Sequence, residues 1–221
     1  MKITGAIFDM DGTLIDSMMF WDIFWKRLGE KYLHNPAFRP DPATEKAIRT
    51  LPLKEAMYLL HEKCHIGESG DALLASADEM CADFYANDVQ MKPGALDFLE
   101  HCKHQGIKMC VASATARPLL EIVMKKFGLS AYFPRLFSCS EIGKGKEEPD
   151  IFIAAHQYLG TEKESTWIFE DSITALETAQ KAGYQTVGIF DPHNFNLDKM
   201  PDFSTIYIAQ GESLSRLIPK S

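Results

Sequence analysis

Six side chains in four short segments of this chain have the types that metal-assisted phosphoryl transfer needs. Two segments close apolar runs with acidic residues, one closes an apolar run with a serine, and the fourth is a lysine in a loop. The residues are Asp9, Asp11, Ser113, Lys146, Glu170 and Asp171. Such a reaction needs a nucleophile, cationic charge against the phosphoryl oxygens and a proton donor for the leaving group, and this set supplies each of them.

The acidic residues offer the nucleophile, the acid and the metal ligands. Asp9 can attack phosphorus through one carboxylate oxygen and form an aspartyl-phosphate, while its other oxygen ligates Mg²⁺. Asp11 projects to the same side of the turn, where it can protonate the leaving group and then activate water. Its backbone carbonyl could also reach the metal, and Glu170 and Asp171 add hard oxygen ligands. An ordinary turn is the alternative for residues 9–13.

A phosphate site is predicted around Ser113. The backbone amides of Ala114 and Thr115 follow it and precede a helix that is predicted to begin near Pro118. A helix N-terminus is a natural place for a phosphate group, although a serine at a strand end is also a common helix cap.

A lysine in the segment GKGKEEPD can place an ammonium group on the phosphate and between carboxylates that would otherwise repel one another. Both Lys144 and Lys146 could do so, and spacing alone does not choose between them.

The pattern along the chain predicts an α/β fold. Strands are predicted at 2–8, 107–112, 136–138, 166–169, 186–189 and 205–208, and helices at 95–104, 118–127, 149–158, 174–182 and 212–218. Strands that alternate with helices of this length indicate a Rossmann-like, doubly wound parallel sheet. The acidic residues and Ser113 follow predicted strands, and ligands bind at the carboxyl ends of strands in such sheets. We therefore expect them to meet at one edge.

A helical insert interrupts this alternation. Helical periodicity recurs at 16–33, 43–49, 53–63 and 71–85, with no strand alternation between 16 and 90. The predicted domains are therefore a core of residues 1–15 and 91–221 and a helical domain of residues 16–90.

Composition and net charge limit the classes of binding partner that we expect. The chain has 221 residues, of which 46% are hydrophobic, and its net charge is -8. Without a basic stripe, that charge argues against nucleic-acid binding. The apolar runs are too short for a signal peptide or a membrane span, so a cytoplasmic protein without a membrane partner is expected. The five cysteines lie far apart without a C-x-x-C pair, which predicts buried thiols.

Four ordered segments resemble the motifs of the haloacid dehalogenase superfamily. They read FDMDGTLIDS, VASATA, KEEPDIF and FEDSITALETAQKAG. The resemblance covers nearly the whole chain and is to the subgroup with a helical cap, typified by phosphoglycolate phosphatase and β-phosphoglucomutase. It implies an inserted α-helical cap domain at residues 16–90.

The resemblance also implies roles for the site residues. Asp9 is then the nucleophile, Asp11 the acid and base, Ser113 a phosphate ligand, and Asp171 a ligand of Mg²⁺ with Glu170 beside it. Lys146 is preferred over Lys144, because its interval to the Pro-Asp-Ile-Phe segment at 149–152 matches that of the family lysine.

Four positions depart from the family pattern. Ala175 stands where many relatives have glycine, and Glu147 and Glu148 replace a proline-containing stretch. Leu53 falls where mutase-type relatives carry an arginine for a second phosphate, so a clamp for a second phosphate is not evident.

The predicted function is that of a Mg²⁺-dependent phosphatase for a small phosphorylated metabolite, such as a sugar phosphate, acting as a monomer or weak homodimer. A phosphosugar mutase that hands the phosphoryl group back to its substrate is the alternative within the enzymes. A receiver-like or catalytically silent regulator that binds phosphate groups is the alternative from another class.

Overall fold

The computed structural model describes residues 2–51 and 53–219, without the side chain of residue 50, and the chain forms two compact units. The first unit contains the chain up to Met18 and again from Val89 onward, and the second is Met19–Asp88. No helix in the described part of the chain is both long and apolar enough to cross a membrane.

The described strands and helices are numbered in chain order. The strands are β1 Gly5–Phe8, β2 Ile15–Asp16, β3 Gln90–Met91, β4 Lys108–Ser113, β5 Leu136–Ser138, β6 Thr166–Glu170, β7 Gln185–Ile189 and β8 Ile206–Ile208. The helices are α1 Phe20–Leu33, α2 Pro42–Thr50, α3 Leu53–Cys64, α4 Gly70–Asp83, α5 Ala95–His104, α6 Arg117–Phe127, α7 Cys139–Ile142, α8 Asp150–Leu159 and α9 Ile173–Lys181.

The first unit is built on a parallel sheet. Six strands lie in the order β5-β4-β1-β6-β7-β8, and every neighbouring pair is parallel. The chain adds β4 and β5 on one side of β1 before it crosses to build β6, β7 and β8 on the other. The predicted Rossmann-like sheet is thereby confirmed. Such a change of direction beside the first strand is where doubly wound sheets bind ligands.

Both faces of the sheet are buried, which is why its strands read as nearly continuous apolar runs. On one face Ile7 belongs to a core that includes Ile168 of β6 and Phe152 of α8. On the other face the ring of Phe8 stacks on that of Phe169, with 4.4 Å between the ring centroids. Alternation along β1 thus sends successive side chains into two separate cores.

The second unit consists of α1–α4 and has a core of its own. Phe24 and Trp25 of α1 are buried, and the Trp25 indole donates a hydrogen bond of 3.0 Å to Glu45 of α2. Asp41 caps α2 by accepting from the backbone amides of Ala43 and Thr44. A capping aspartate satisfies amides that the first turn leaves without partners.

Several elements differ from the prediction. The helix expected from residue 16 begins at Phe20, because β2 pairs with β3 in a small antiparallel sheet. The helix expected at 71–85 ends at Asp83 and continues as a π-helical turn, Phe84–Asp88. The helix expected at 212–218 is a 3₁₀ turn, Leu214–Leu217, and the short α7 had no counterpart in the prediction.

Candidate active site

The three central strands end side by side at one edge of the sheet. Phe8 is in register with Val111 of β4 and with Phe169 of β6. The backbone amide of Asp9 extends the pairing by donating to the carbonyl of Phe169, at 2.9 Å. The residues that follow these strands therefore converge, and hydrogen bonds link them to side chains from the adjoining loops.

Lys146 connects two of the acidic residues. Its Nζ lies 2.5 Å from Oδ1 of Asp9 and also contacts Oε1 of Glu170. The Lys146 side chain is 10% exposed, whereas that of Lys144 is 52% exposed and pairs with Asp150 on the surface. Of the two lysines in the loop, Lys146 is the one that enters the site.

Asp9, Glu170 and Asp171 form a buried acidic cluster. One carboxylate oxygen from each lies within 4.8 Å of the others, and the residues are only 7%, 1% and 4% exposed. Glu170 is oriented through its second oxygen, which accepts from the backbone amides of Asp171 and Ser172, both at 3.0 Å.

The cluster combines three carboxyl groups with a single ammonium group, so ionising all three carboxyl groups is unfavourable. Burial raises the pKa of Asp9 to about 8 against the pull of Lys146, and repulsion from Glu170 and Asp11 adds to the rise. Burial, followed by repulsion from Glu170 and Asp9, raises the pKa of Asp171 well above its usual range. When all three carboxyl groups are ionised, their negative charges exceed the positive charge of the single ammonium group by two, which a divalent cation would balance. Hard carboxylate oxygens fit Mg²⁺ in chemical type.

Asp11 has a different environment. Its carboxylate is outside the cluster of three and is held by two hydroxyl groups. Ser17 donates to Oδ1 at 2.7 Å and Thr115 donates to Oδ2 at 2.6 Å. Such bonds fix the direction of the carboxylate, as a proton-transfer group requires. A role of its backbone carbonyl as a metal ligand stays a prediction.

The loop after β4 presents polar groups beside Asp11. Ser113 Oγ accepts from the backbone amide of Thr115 at 3.1 Å, and Ala114 is exposed. Helix α6 follows at once, with Ala116 at its N-cap. Pro118 has no amide N–H, and the amides of Leu119 and Leu120 donate to the carbonyl of Ala116, so a phosphate site at this loop stays a prediction.

Gly12 allows the first loop to pass close to the acidic cluster. Its φ is +70°, and a Cβ atom added there would overlap the carboxylate of Asp171. Both the left-handed backbone and the close approach require glycine.

Four supporting residues were not predicted from the sequence. Ser17 and the hydroxyl of Thr115 hold Asp11, while Thr13 and Asn194 contact Asp171. Three of them, Thr13, Ser17 and Thr115, lie within the motif segments. Their closeness to the predicted site residues in the sequence is the only signal that could have identified them. Asn194 lies in a loop beyond the next strand, where no local pattern identifies it.

Comparison with known proteins finds similar sequences over most of the chain. The family model described as haloacid dehalogenase-like hydrolase matches residues 6–189. The chain is 26% identical over 186 residues to the phosphorylated carbohydrates phosphatase of Thermotoga maritima, a match that covers 83% of each chain. It is also 26% identical over 194 residues to hexitol phosphatase A of Escherichia coli, covering 87% of this chain and 85% of the relative.

Solved structures share the fold. The structure of a putative β-phosphoglucomutase from Thermotoga maritima superposes with a TM-score of 0.80 at 23% identity and covers 97% of this chain and 98% of its own. CbbY from Rhodobacter sphaeroides, solved in complex with phosphate, gives a TM-score of 0.71 at 20% identity. The superposition covers 88% of this chain and 89% of the CbbY chain.

Proposed function

Because the chain belongs to the haloacid dehalogenase-like hydrolase family, we propose that it is a Mg²⁺-dependent phosphatase of small phosphorylated metabolites, with phosphorylated sugars and sugar alcohols as the first class of substrate. The observation that carries this proposal is the buried contact of Lys146 with Asp9 and Glu170 inside a cluster of three carboxylates. The similar phosphatases of phosphorylated carbohydrates and hexitols support the choice of substrate.

In the proposed first step, a carboxylate oxygen of Asp9 attacks phosphorus and the bond from phosphorus to the ester oxygen breaks. Asp11 gives its proton to the departing alcohol, and Asp9 carries the phosphoryl group as an acyl phosphate. Lys146 and the hydroxyl and amides of the loop at 113–115 hold the phosphoryl oxygens. Bound by Asp9, Glu170 and Asp171, Mg²⁺ would supply positive charge that lessens repulsion between the nucleophile and the phosphate.

In the second step, Asp11 takes a proton from water as the water oxygen attacks phosphorus. The bond between phosphorus and Asp9 breaks, inorganic phosphate leaves, and both aspartates return to their starting states. The hydrogen bonds from Ser17 and Thr115 hold the Asp11 carboxylate for both proton transfers. The helical insert at residues 16–90 is proposed to act as a cap that excludes bulk water from the reaction.

Two alternatives receive less support. The phosphosugar mutase is not favoured, because the two relatives found by sequence are phosphatases, whereas the likeness to the putative β-phosphoglucomutase, at 23% identity, concerns the fold alone. A receiver-like or silent regulator would not need a second acidic residue placed as Asp11 is.

A screen for phosphate release tests the proposal. Phosphorylated sugars, sugar alcohols and other phosphomonoesters are incubated with the protein and Mg²⁺, and inorganic phosphate is measured. Asp9→Asn removes the nucleophile and should abolish turnover. Asp11→Asn should lower kcat by about 10²–10⁴, which is the usual contribution of general acid–base catalysis.

Asp198→Asn serves as the matched control, since that aspartate is exposed in a surface turn. It should keep wild-type activity. The proposal is wrong if the wild type releases no phosphate from any compound, or if Asp9→Asn is as active as the wild type.

A further inference from the structure

Asn194 contacts the acidic cluster from a loop that carries no recognised motif. Its side-chain Nδ2 lies 2.5 Å from Oδ2 of Asp171 and 3.0 Å from the backbone carbonyl oxygen of the same residue. The amide group has two protons, and each finds an acceptor on Asp171. The side chain of Asp171 is thereby tied to its own backbone, which fixes the rotation of the carboxylate.

The loop that carries Asn194 is itself anchored. Asp191 is fully buried, and its Oδ2 pairs with Nζ of Lys92 at 2.6 Å. Its Oδ1 accepts from the backbone amide of His193 at 2.9 Å, and its carbonyl accepts from that of Asn194 at 3.2 Å. These bonds hold the backbone just before the Asn194 side chain, so its amide is positioned in advance.

The chemistry of the contact matters as well. An asparagine donates hydrogen bonds without bringing a positive charge, so it orients the carboxylate but leaves its negative charge available to a cation. A lysine in the same place would compete with the metal. Lys146 already supplies the ammonium group on the other side of the cluster.

We propose that Asn194 is a positioning residue that holds Asp171 in the orientation for binding Mg²⁺ and so sets the affinity of the site for the metal. The inference rests on the proposed function, in which Asp171 is a metal ligand. Residues that orient metal ligands by hydrogen bonding commonly change metal affinity about 10–100-fold when they are removed.

The test measures binding of Mg²⁺ alone, without substrate. Isothermal titration calorimetry of the full chain with MgCl₂ gives Kd for the wild type and for Asn194→Ala, after thermal unfolding in EDTA has shown that the variant folds. We expect Kd to rise about 10-fold or more in the variant. With a substrate, Asn194→Ala should need more Mg²⁺ for half-maximal rate and should recover most of kcat once Mg²⁺ is saturating.

Asn87→Ala is the matched control. Asn87 also donates from its amide to a carboxylate, that of Asp83 in the helical unit, at 2.8 Å. This variant loses the same type of bond away from the cluster and should bind Mg²⁺ as the wild type does.

A wild type that binds Mg²⁺ while Asn194→Ala binds it equally well overturns the positioning role and leaves the proposed reaction standing. If Asn194→Ala and Asn87→Ala weaken Mg²⁺ binding equally, the positioning role of Asn194 is also overturned. A wild type that binds no Mg²⁺ overturns both the role and the metal-dependent reaction.

Discussion

Lys144 and Lys146 are separated by a single residue, yet they meet opposite environments. Lys146 is buried between two carboxylates, while Lys144 forms an exposed ion pair. We expect Lys146→Met to lower kcat by about 10²–10³, the typical loss when one group that stabilises transition-state charge is removed. Lys144→Met should leave kcat close to that of the wild type, because the Lys144 ammonium group pairs with Asp150 on the surface and not with the acidic cluster. Steady-state kinetics of the two variants measures the contrast, and equal losses would contradict it.

Gly12 and Gly128 both have positive φ, but only Gly12 is crowded. A Cβ at Gly12 would overlap Asp171, whereas nothing lies within 4 Å of one at Gly128. Gly128→Ala should cost about 1–2 kcal/mol, the usual price of left-handed backbone in a residue with a Cβ. Gly12→Ala should cost more, and it should weaken Mg²⁺ binding because the Asp171 carboxylate must move. Urea unfolding measures the free energy of unfolding, and calorimetry measures the Kd for Mg²⁺. Similar values for both variants would refute a steric overlap between a Cβ at position 12 and Asp171.

At the residue scale, the sequence predicts what lies in local motifs and little else. Asp9, Asp11, Ser113 and Lys146 follow recognisable strand ends or motif intervals. Asn194 was missed because its contact with Asp171 spans 23 positions and depends on how two loops meet. No periodicity or composition encodes such a contact.

At the element scale, the strands were predicted from their apolar runs because the sheet is buried on both faces. The small β2–β3 sheet escaped prediction, since each of its strands has only two residues and the partner lies beyond the helical insert. Lys92 follows β3 directly, and its pairing with Asp191 joins that segment to the loop after β7. No sequence pattern at either residue predicts this ion pair.

The pairing of Lys92 with Asp191 should stabilise the first unit. Lys92→Met leaves the fully buried Asp191 carboxylate without its cation, which typically costs about 3–5 kcal/mol. Lys181→Met is the matched control, because Lys181 pairs with Glu177 on an exposed helix face and should contribute less than about 1 kcal/mol. The free energy of unfolding in urea measures both, and a small loss in Lys92→Met would show that the ion pair is dispensable.

For the whole molecule, stability should depend on pH and Mg²⁺ together. The pKa of Asp9 in the folded, metal-free protein is raised from 3.8 to about 8, so the folded state binds the proton more tightly than the unfolded state does. The contribution of this group is therefore complete below about pH 4 and is lost as the pH rises through about 8. Mg²⁺ binds the ionised carboxylates, so its stabilising effect should grow over the same interval.

Urea unfolding from pH 5 to pH 8, in EDTA and in Mg²⁺, measures this linkage. At 100 times Kd, Mg²⁺ should add about 2.7 kcal/mol to the free energy of unfolding. Asp9→Asn lacks the titrating group and should show a shallower pH dependence in EDTA. Curves in EDTA and Mg²⁺ that run parallel across the interval would exclude the coupling.

The central place of β1 has a consequence for synthesis of the chain. Gly5 pairs on one side with Lys108 and on the other with Thr166, so β1 is synthesised before both of the strands that pair with it. Until β6 has been made, the nascent chain carries an apolar strand with an unpaired edge. Such edges are prone to aggregation and are bound by chaperones. The acidic cluster of Asp9, Glu170 and Asp171 is likewise completed only after β6 has been made.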